Sequence, residues 1–412
     1  MKASLLLIGF FIQVFAFGQE EKYNLLIARN TGAKELANGE TIKVFGFAEN
    51  LGLQPGVPGP TITLNQGDSA IIDLWNVSQG APHTIHLHGL DVNQANDGVP
   101  HLSFEVPHME HGYYFFKATH PGTYLYHCHV ASTIHVQAGM YGLIIVKPTD
   151  GSNNTWDNGY AYEQEHSFFL SEIDTVWHRD DVLLHDHKPN QPSQQIQIPQ
   201  YHPQFFLVNG FSDQQLAENN VRIDALVNEV NYARLANIGF YGVRIIFPAL
   251  LDARIIATDG RPIISEEISD TVIVMPGERY GVLHKASAEF EGNIRFEYFN
   301  LNTMEVKEVQ LVPVSVDGTI GIADLKSDVS NWKLVPNPAK ELTHIELNLT
   351  NQTLLEVVVR DIQGKKVLHF APQLFESGSQ SIPVSVESLT KGQYLVQVRS
   401  NKKVLKNLLL VK

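Results

Sequence analysis

Histidine, the commonest metal ligand among protein side chains, is concentrated in one short part of this 412-residue chain. Ten of the 18 histidines lie between His83 and His135. The residues with donor side chains form two strings and a short tail, namely His83-Thr-Ile-His86-Leu-His88, Tyr126-His127-Cys128-His129, and His135 with Met140. Imidazole, thiolate and thioether groups are donors that transition metals prefer. The pattern therefore predicts metal binding.

Cys128 is the only cysteine of the chain, so no disulfide can form within it. A lone thiol is either an inert core residue or a metal ligand. The histidines on both sides of Cys128 favour the ligand.

The parity of the strings separates their donors into two sets. Side chains on a β-strand alternate between the two faces with a period of two. In the first string, the two histidines of the His-Leu-His triplet share one face, and His83 lies on the other. In the second string the two flanking histidines share a face, and Cys128 points the opposite way. Pairing of the two strands would therefore produce two separate metal sites.

Two histidines, one thiolate and a distant methionine are the donor set of a blue (type 1) copper site, which serves electron transfer. The residues predicted to form this first site are His83, Cys128 and His135, with Met140 as a weak axial ligand. The residues predicted to form the second site are His86, His88, His127 and His129. A structural zinc at these four histidines, and plain core packing of Met140, are the alternatives.

Short runs rich in Val, Ile, Tyr and Phe, bounded by Gly, Pro, Asn and Asp, must position these residues. Such spacing predicts an all-β chain of sandwiches. The runs include residues 61–64, 70–74, 113–117, 142–146 and 271–275, and the most helix-like stretch is 214–219. His101, His108, His111 and His120 are interpreted as solvated loop residues, as are His185 and His187.

Residues 1–18 have the pattern of a secretory signal peptide, with Lys2 before an apolar stretch and a small-x-small site at residues 16–18. Three segments are predicted to follow: 19–148 with the metal donors, 159–317, and 331–412, with polar linkers between them. The net charge of −14 argues against nucleic acid as a partner.

The first segment resembles the multicopper oxidases (laccases and their relatives) over nearly its whole length. The motifs that carry the resemblance are Pro58-Gly59-Pro60-Thr61-Ile62, His86-Leu-His88-Gly89, Asp97-Gly98-Val99-Pro100, Gly122–His129 and Gly139-Met140-Tyr141-Gly142. The resemblance implies tandem cupredoxin-like Greek-key sandwiches and copper of types 1, 2 and 3. His83, Cys128 and His135 would then carry the electron-transfer step. The spacing from Cys128 to His135 departs from the family, and we interpret it as a loop-length variation.

The second segment is similar to the copper-free middle domain of that family. Its likeness rests on Phe206–Gly210, Ala233–Asn237, Ala257–Gly260 and Pro276–Tyr280. Where a copper domain would carry His-Cys-His, this segment has Arg295-Phe296-Glu297-Tyr298.

The last segment resembles the C-terminal sorting domain of the type IX secretion system. The residues of that likeness are Leu334–Ala339, Asp361–Val367, Leu389–Tyr394 and Lys406–Lys412. It implies a secretion machinery as partner and a secreted or cell-surface location.

The resemblance implies an oxidase that takes single electrons from a small molecule or a metal ion and reduces dioxygen to water. Its trinuclear cluster takes eight histidines, whereas this chain offers four, so two chains would share a cluster across a two-fold interface. A nitrite-reductase-like enzyme, with a mononuclear copper at His88 and His127 and a histidine of a neighbouring chain, remains an alternative. A non-catalytic type 1 copper carrier is another.

Overall fold

The computed structural model describes residues 21–185, 198–318, 329–361, 366–400 and 403–412. The predicted signal peptide and His187 lie outside them. Strands dominate these described residues, in which six sheets stack as three sandwiches. The all-β fold predicted from the sequence is thus confirmed.

The first sandwich has two four-stranded sheets, with strand orders β2-β1-β4-β6 and β3-β8-β7-β5. Strand β6 shows the alternation that builds such a sheet, because every second side chain is buried. The strands are β1 Glu21–Glu35, β2 Thr41–Ala48, β3 Ile62–Asn65, β4 Ser69–Asn76, β5 His86–His88, β6 His111–Lys117, β7 Gly122–His127 and β8 Tyr141–Lys147. A 3-10 turn at Gln94–Asn96 and helix α1, Ser132–Ala138, complete it.

The second sandwich has a six-stranded sheet, β10-β9-β12-β17-β14-β15, and a five-stranded sheet, β11-β19-β18-β13-β16. Its strands are β9 Gln164–Ile173, β10 Phe205–Val208, β11 Ile223–Leu226, β12 Asn231–Asn237, β13 Gly242–Ile246, β14 Arg254–Thr258, β15 Arg261–Ile268, β16 Thr271–Val274, β17 Arg279–His284, β18 Phe290–Phe299 and β19 Val306–Asp317. Its helices are α2 Asp180–Leu183, α3 Gln214–Glu218 and a 3-10 turn at Ala249–Leu251. Helix α3 lies where the sequence is most helix-like.

The first two sandwiches form one compact unit that ends at Asp317. Strands β7 and β8 and helix α1 of the first sandwich pack on the second through a small apolar cluster. Its buried members are Leu125, Val136, Tyr141, Leu143, Phe169, Ala236 and Ile238. This contact brings the second sandwich beside the strands that carry the donor residues.

Residues from Gly318 onward form a separate compact unit with a core of its own. Its sheets have the orders β20-β21-β24 and β23-β22-β25-β26. The strands are β20 Val329–Val335, β21 Leu342–Leu349, β22 Thr353–Asp361, β23 Lys366–Phe375, β24 Gly378–Ser385, β25 Gln393–Ser400 and β26 Lys403–Val411.

Candidate metal centres

Both donor strings lie at one edge of the sheet β3-β8-β7-β5. Strand β5 pairs antiparallel with β7, so that His86 stands opposite His127. Cys128 follows β7 directly, and its backbone N–H donates to the carbonyl of Met140 at 3.0 Å. The ladder therefore fixes the register of the two strings relative to each other.

The structure brings His83, Cys128 and His135 together as one group of buried donors. The Cys128 Sγ atom lies 3.7 Å from Nδ1 of His83 and 3.4 Å from Nδ1 of His135. Met140 is fully buried in the same apolar cluster as Cys128. We call His83, Cys128 and His135 the thiol group.

Helix α1 holds His135, where the sequence suggested only a longer loop. The helix begins after Ala131, which has a left-handed backbone and provides no side-chain cap. Gly139 ends it, with its N–H donating to the carbonyls of His135 and Val136. The extra residues between Cys128 and His135 are thus folded as a helical turn.

The histidines of the opposite parity form a second group. Donor atoms of His86, His88 and His127 all lie within 4.8 Å of one another. His129 stands outside that trio, although its ring centroid is 5.4 Å from that of His86 and 5.9 Å from that of His127. We call the four residues the histidine group.

Hydrogen bonds and burial prepare these imidazoles for a cation. Nδ1 of His127 lies 3.0 Å from the carbonyl of Cys128, and Nδ1 of His86 lies 2.7 Å from that of Asp97. Each contact orients a ring and leaves its other nitrogen for a ligand. Burial lowers the pKa of His127 to about 3. Burial, and then the charge of Arg279, lower that of His88 to about 4. Both rings are therefore neutral at neutral pH, as metal ligands must be.

The other histidines singled out from the sequence do not join these groups among the described residues. His111 was interpreted as a loop residue, but it begins strand β6 and its Nδ1 lies 2.7 Å from Oδ1 of the buried Asp73. His185 follows helix α2 and contacts the carbonyl of Val182. Arg295 and Glu297 of β18 form an ion pair instead of a metal site.

Three residues that support the donors, Asp97, Arg279 and Gln137, were not recognised as such from the sequence. Asp97 was noted only as part of a motif, and Arg279 only for its likeness to a copper-free domain. Gln137 of α1 was not singled out, yet its side chain donates to the carbonyl of Glu172 at 2.9 Å and accepts from the backbone of Asp174. No pattern local to the sequence identifies such residues, because their partners lie far from them along the chain.

The donor chemistry of the thiol group fits copper. A buried thiolate with two imidazoles and a nearby methionine matches a blue-copper site, and structural zinc sites are usually closed tetrahedra rich in cysteine. The histidine group, one residue away along the chain, consists of imidazoles alone, which suit copper equally.

Comparisons with known proteins find relatives among copper proteins. Residues 43–151 match the family model of multicopper oxidases, and residues 333–412 match that of secretion-system C-terminal sorting domains. Copper resistance protein A of Escherichia coli is 30% identical over 164 residues, which are 39% of this chain and 26% of that protein. The copper-containing nitrite reductase of Neisseria gonorrhoeae is 36% identical over 97 residues, which are 23% of this chain and 24% of the reductase.

Among solved structures, a blue copper oxidase from Nitrosomonas europaea superposes with a TM-score of 0.57 at 24% identity, covering 72% of this chain and 86% of that one. This likeness confirms the predicted cupredoxin-like fold. The first sandwich contains the segment that matches the multicopper oxidase model, and the C-terminal sandwich contains the one that matches the sorting-domain model. The matched segments span about a quarter of the two curated relatives. Within the described residues, no helix has the length and apolar character needed to cross a membrane.

Proposed function

We propose that this chain is an exported, laccase-like copper oxidoreductase. The thiol group, with Met140, would hold type 1 copper, and the histidine group would contribute to a type 2/type 3 cluster. Copper would supply the redox chemistry, in which four single electrons from a reducing substrate, together with four protons, convert one dioxygen into two waters.

The position of Cys128 carries this proposal. Its thiol approaches the imidazoles of His83 and His135, whereas the residue just before it, His127, belongs to the histidine group. One step along the main chain thus joins the two groups. Their burial keeps water from the thiol group, because Cys128, His83 and His135 are all 0% exposed.

The cluster would be completed by a second chain. The described part of the second sandwich places no histidine in the histidine group. His86, His88 and His129 are half-buried, so the group keeps a side that a partner can approach. Two chains related by a two-fold axis would bring four histidines each to one shared cluster.

The test is a copper count with visible and EPR spectra and the mass in solution. For a shared cluster we expect a dimer with about five coppers, since each chain has one type 1 centre and the pair one three-copper cluster. Cys128→Ser should remove the blue absorption, because the thiolate is its source. A colourless copper-loaded protein, or a monomer with one copper and no oxygen consumption, contradicts the proposal.

A nitrite-reductase-like reaction is the second candidate, favoured by the 36% identity to such an enzyme over 97 residues. In that case His88 and His127 would hold one copper with a histidine of a neighbouring chain. Reduction of nitrite, with about two coppers per chain and no trinuclear spectrum, would identify it.

A further inference from the structure

Arg279, the first residue of β17, is a buried arginine of the second sandwich, only 4% exposed. Its guanidinium donates from Nη1 to the carbonyl of Gly277 at 2.7 Å and from Nε to the carbonyl of Thr123 at 3.3 Å. It also pairs with Asp259 at 2.9 Å. Thr123 belongs to β7, the strand that leads to the donor residues, so this one side chain joins the two sandwiches.

The backbone of Gly277 also faces the first sandwich, where its neighbour is the imidazole of His88. The ring approaches so closely that a Cβ on Gly277 would lie 3.2 Å from Cε1 of His88. The second sandwich therefore contacts one ligand of the histidine group directly.

Arg279 also packs against the residue that follows this ligand. A Cβ on Gly89 would lie 2.2 Å from Nη2 of Arg279, so only glycine leaves room for the guanidinium there. Arg279 thus contacts both Gly89, in the turn after His88, and Gly277, which lies against the His88 ring.

We propose that Arg279 is a positioning residue for the histidine group. By holding the Gly277 backbone that lies against the His88 ring, and by packing against Gly89, it keeps this ring in one orientation, and so it sets the affinity of the group for copper. The inference rests on the proposed function, because it assigns a copper-binding role to that group. It gives the copper-free second sandwich a role in the site.

Arginine suits this role better than lysine does. Its planar fork reaches two carbonyls and a carboxylate at fixed angles, whereas an ammonium group is a point charge on a flexible stem. Hydrogen-bond partners of metal-binding histidines fix the ring and its tautomer, and their loss typically lowers metal affinity about 10–100-fold.

The first experiment measures copper affinity in Arg279→Lys by competition with a chelator. We expect the coppers of the histidine group to bind about 10–100-fold more weakly, with their EPR signal changed. The visible spectrum of the thiol group should not change. Affinity within about twofold of the parent protein contradicts the proposal.

Arg234→Lys is the matched control. Arg234 is also a buried arginine of the second sandwich; it pairs with Glu165 at 3.1 Å and donates to Oγ1 of Thr123 at 3.1 Å. These contacts reach the same strand but not the histidine group. If it weakens copper binding as much as Arg279→Lys does, the effect is general loosening between the sandwiches and the proposal fails.

A copper-free measurement separates this inference from the proposed function. In metal-free protein with 15N-labelled histidine, the His88 ring, assigned through His88→Gln, should be one neutral tautomer. In Arg279→Lys the 15N signal of the His88 ring should broaden or shift, whereas in Arg234→Lys it should stay as in the parent protein. If the parent protein binds a single copper, the proposed oxidase function fails, and the ring spectra alone decide whether Arg279 positions His88. An unchanged His88 signal in Arg279→Lys overturns the inference.

Discussion

Glu172 in β9 is a carboxyl group that the second sandwich buries with no cationic side chain paired to it among the described residues. Its Oε1 accepts hydrogen bonds from the hydroxyl of Tyr201 and the backbone of Phe240, while Oε2 has no hydrogen-bond partner in the described part of the chain. Burial raises its pKa to about 7, and the hydrogen bonds oppose this rise only in part. The folded protein therefore binds a proton here more tightly than the unfolded chain does.

Glu172 should make the protein less stable as the pH rises from about 4.5 to about 7. In that window the unfolded chain has lost the proton and the folded chain keeps it, at a cost that reaches about 3 kcal/mol above pH 7. Glu172→Gln has no proton to lose. Denaturant unfolding at pH 5 and pH 8 should thus show a smaller fall in the free energy of unfolding for the variant. An equal fall in both proteins would contradict this.

Glu165→Gln provides the opposite case in the same strand. Burial alone would raise the pKa of Glu165, but Arg234 and Lys147 outweigh it and lower the pKa to about 2. Its contribution to stability is present above about pH 4.5 and is lost as the pH falls towards 2. Glu165→Gln should therefore remove stability at pH 7 and flatten the acid side of the profile.

At the scale of single elements, helix α1 carries His135 of the thiol group but is a poor helix by itself. It has only seven residues, and three of them, Thr133, Ile134 and Val136, are β-branched. It also lacks a side-chain cap at its N-terminus. Its stability comes from tertiary contacts, above all those of Gln137 with Glu172 and Tyr201. The second sandwich thus anchors the helix that carries His135.

Gly139→Ala should damage the thiol group through this helix. Gly139 has a φ of +115°, and a Cβ there would lie 2.4 Å from Cγ2 of Val57 and 2.7 Å from the carbonyl oxygen of Phe45. Strain and overpacking together should cost about 2–4 kcal/mol. Because Gly139 separates His135 from Met140, the blue absorption should weaken or shift.

Gly39→Ala is the control for backbone strain. Gly39 has a φ of +81° and nothing within 4 Å of the position of its Cβ. It should cost only about 1 kcal/mol and leave the visible spectrum unchanged. Equal spectral changes in the two variants would show that Gly139→Ala does not act on the thiol group through helix α1.

Strand parity made the grouping of donors predictable from the sequence. The period of two separates His83 and Cys128 from their neighbouring histidines, and the β5–β7 ladder preserves that separation. Helix α1 was not predictable, because contacts with the second sandwich outweigh its local preferences. Arg279 reaches the surroundings of His88 through Gly277 and Gly89, and these residues are far apart in sequence, so no local pattern contains the arrangement.

At the scale of the whole molecule, three sandwiches make up two compact units. The first two share the apolar cluster around Leu125 and Phe169, and Arg234 and Arg279 each bond to Thr123 across the same boundary. The C-terminal sandwich has a separate core. Shared buried surface couples the unfolding of neighbouring domains, and separate cores do not.

Calorimetry of the metal-free chain should therefore show two unfolding transitions, not three. A chain that ends at Asp317 should lose one transition and keep the other within about 2 °C, since its cores remain whole. The same truncated chain should retain the copper content and the blue absorption, because every proposed ligand precedes residue 317. A single transition in the full chain, or a large downward shift after truncation, would mean that the C-terminal sandwich stabilises the copper-binding unit. Three transitions would mean that the first two sandwiches unfold independently of each other. The positioning roles of Gln137 and Arg279 would then lose their physical basis.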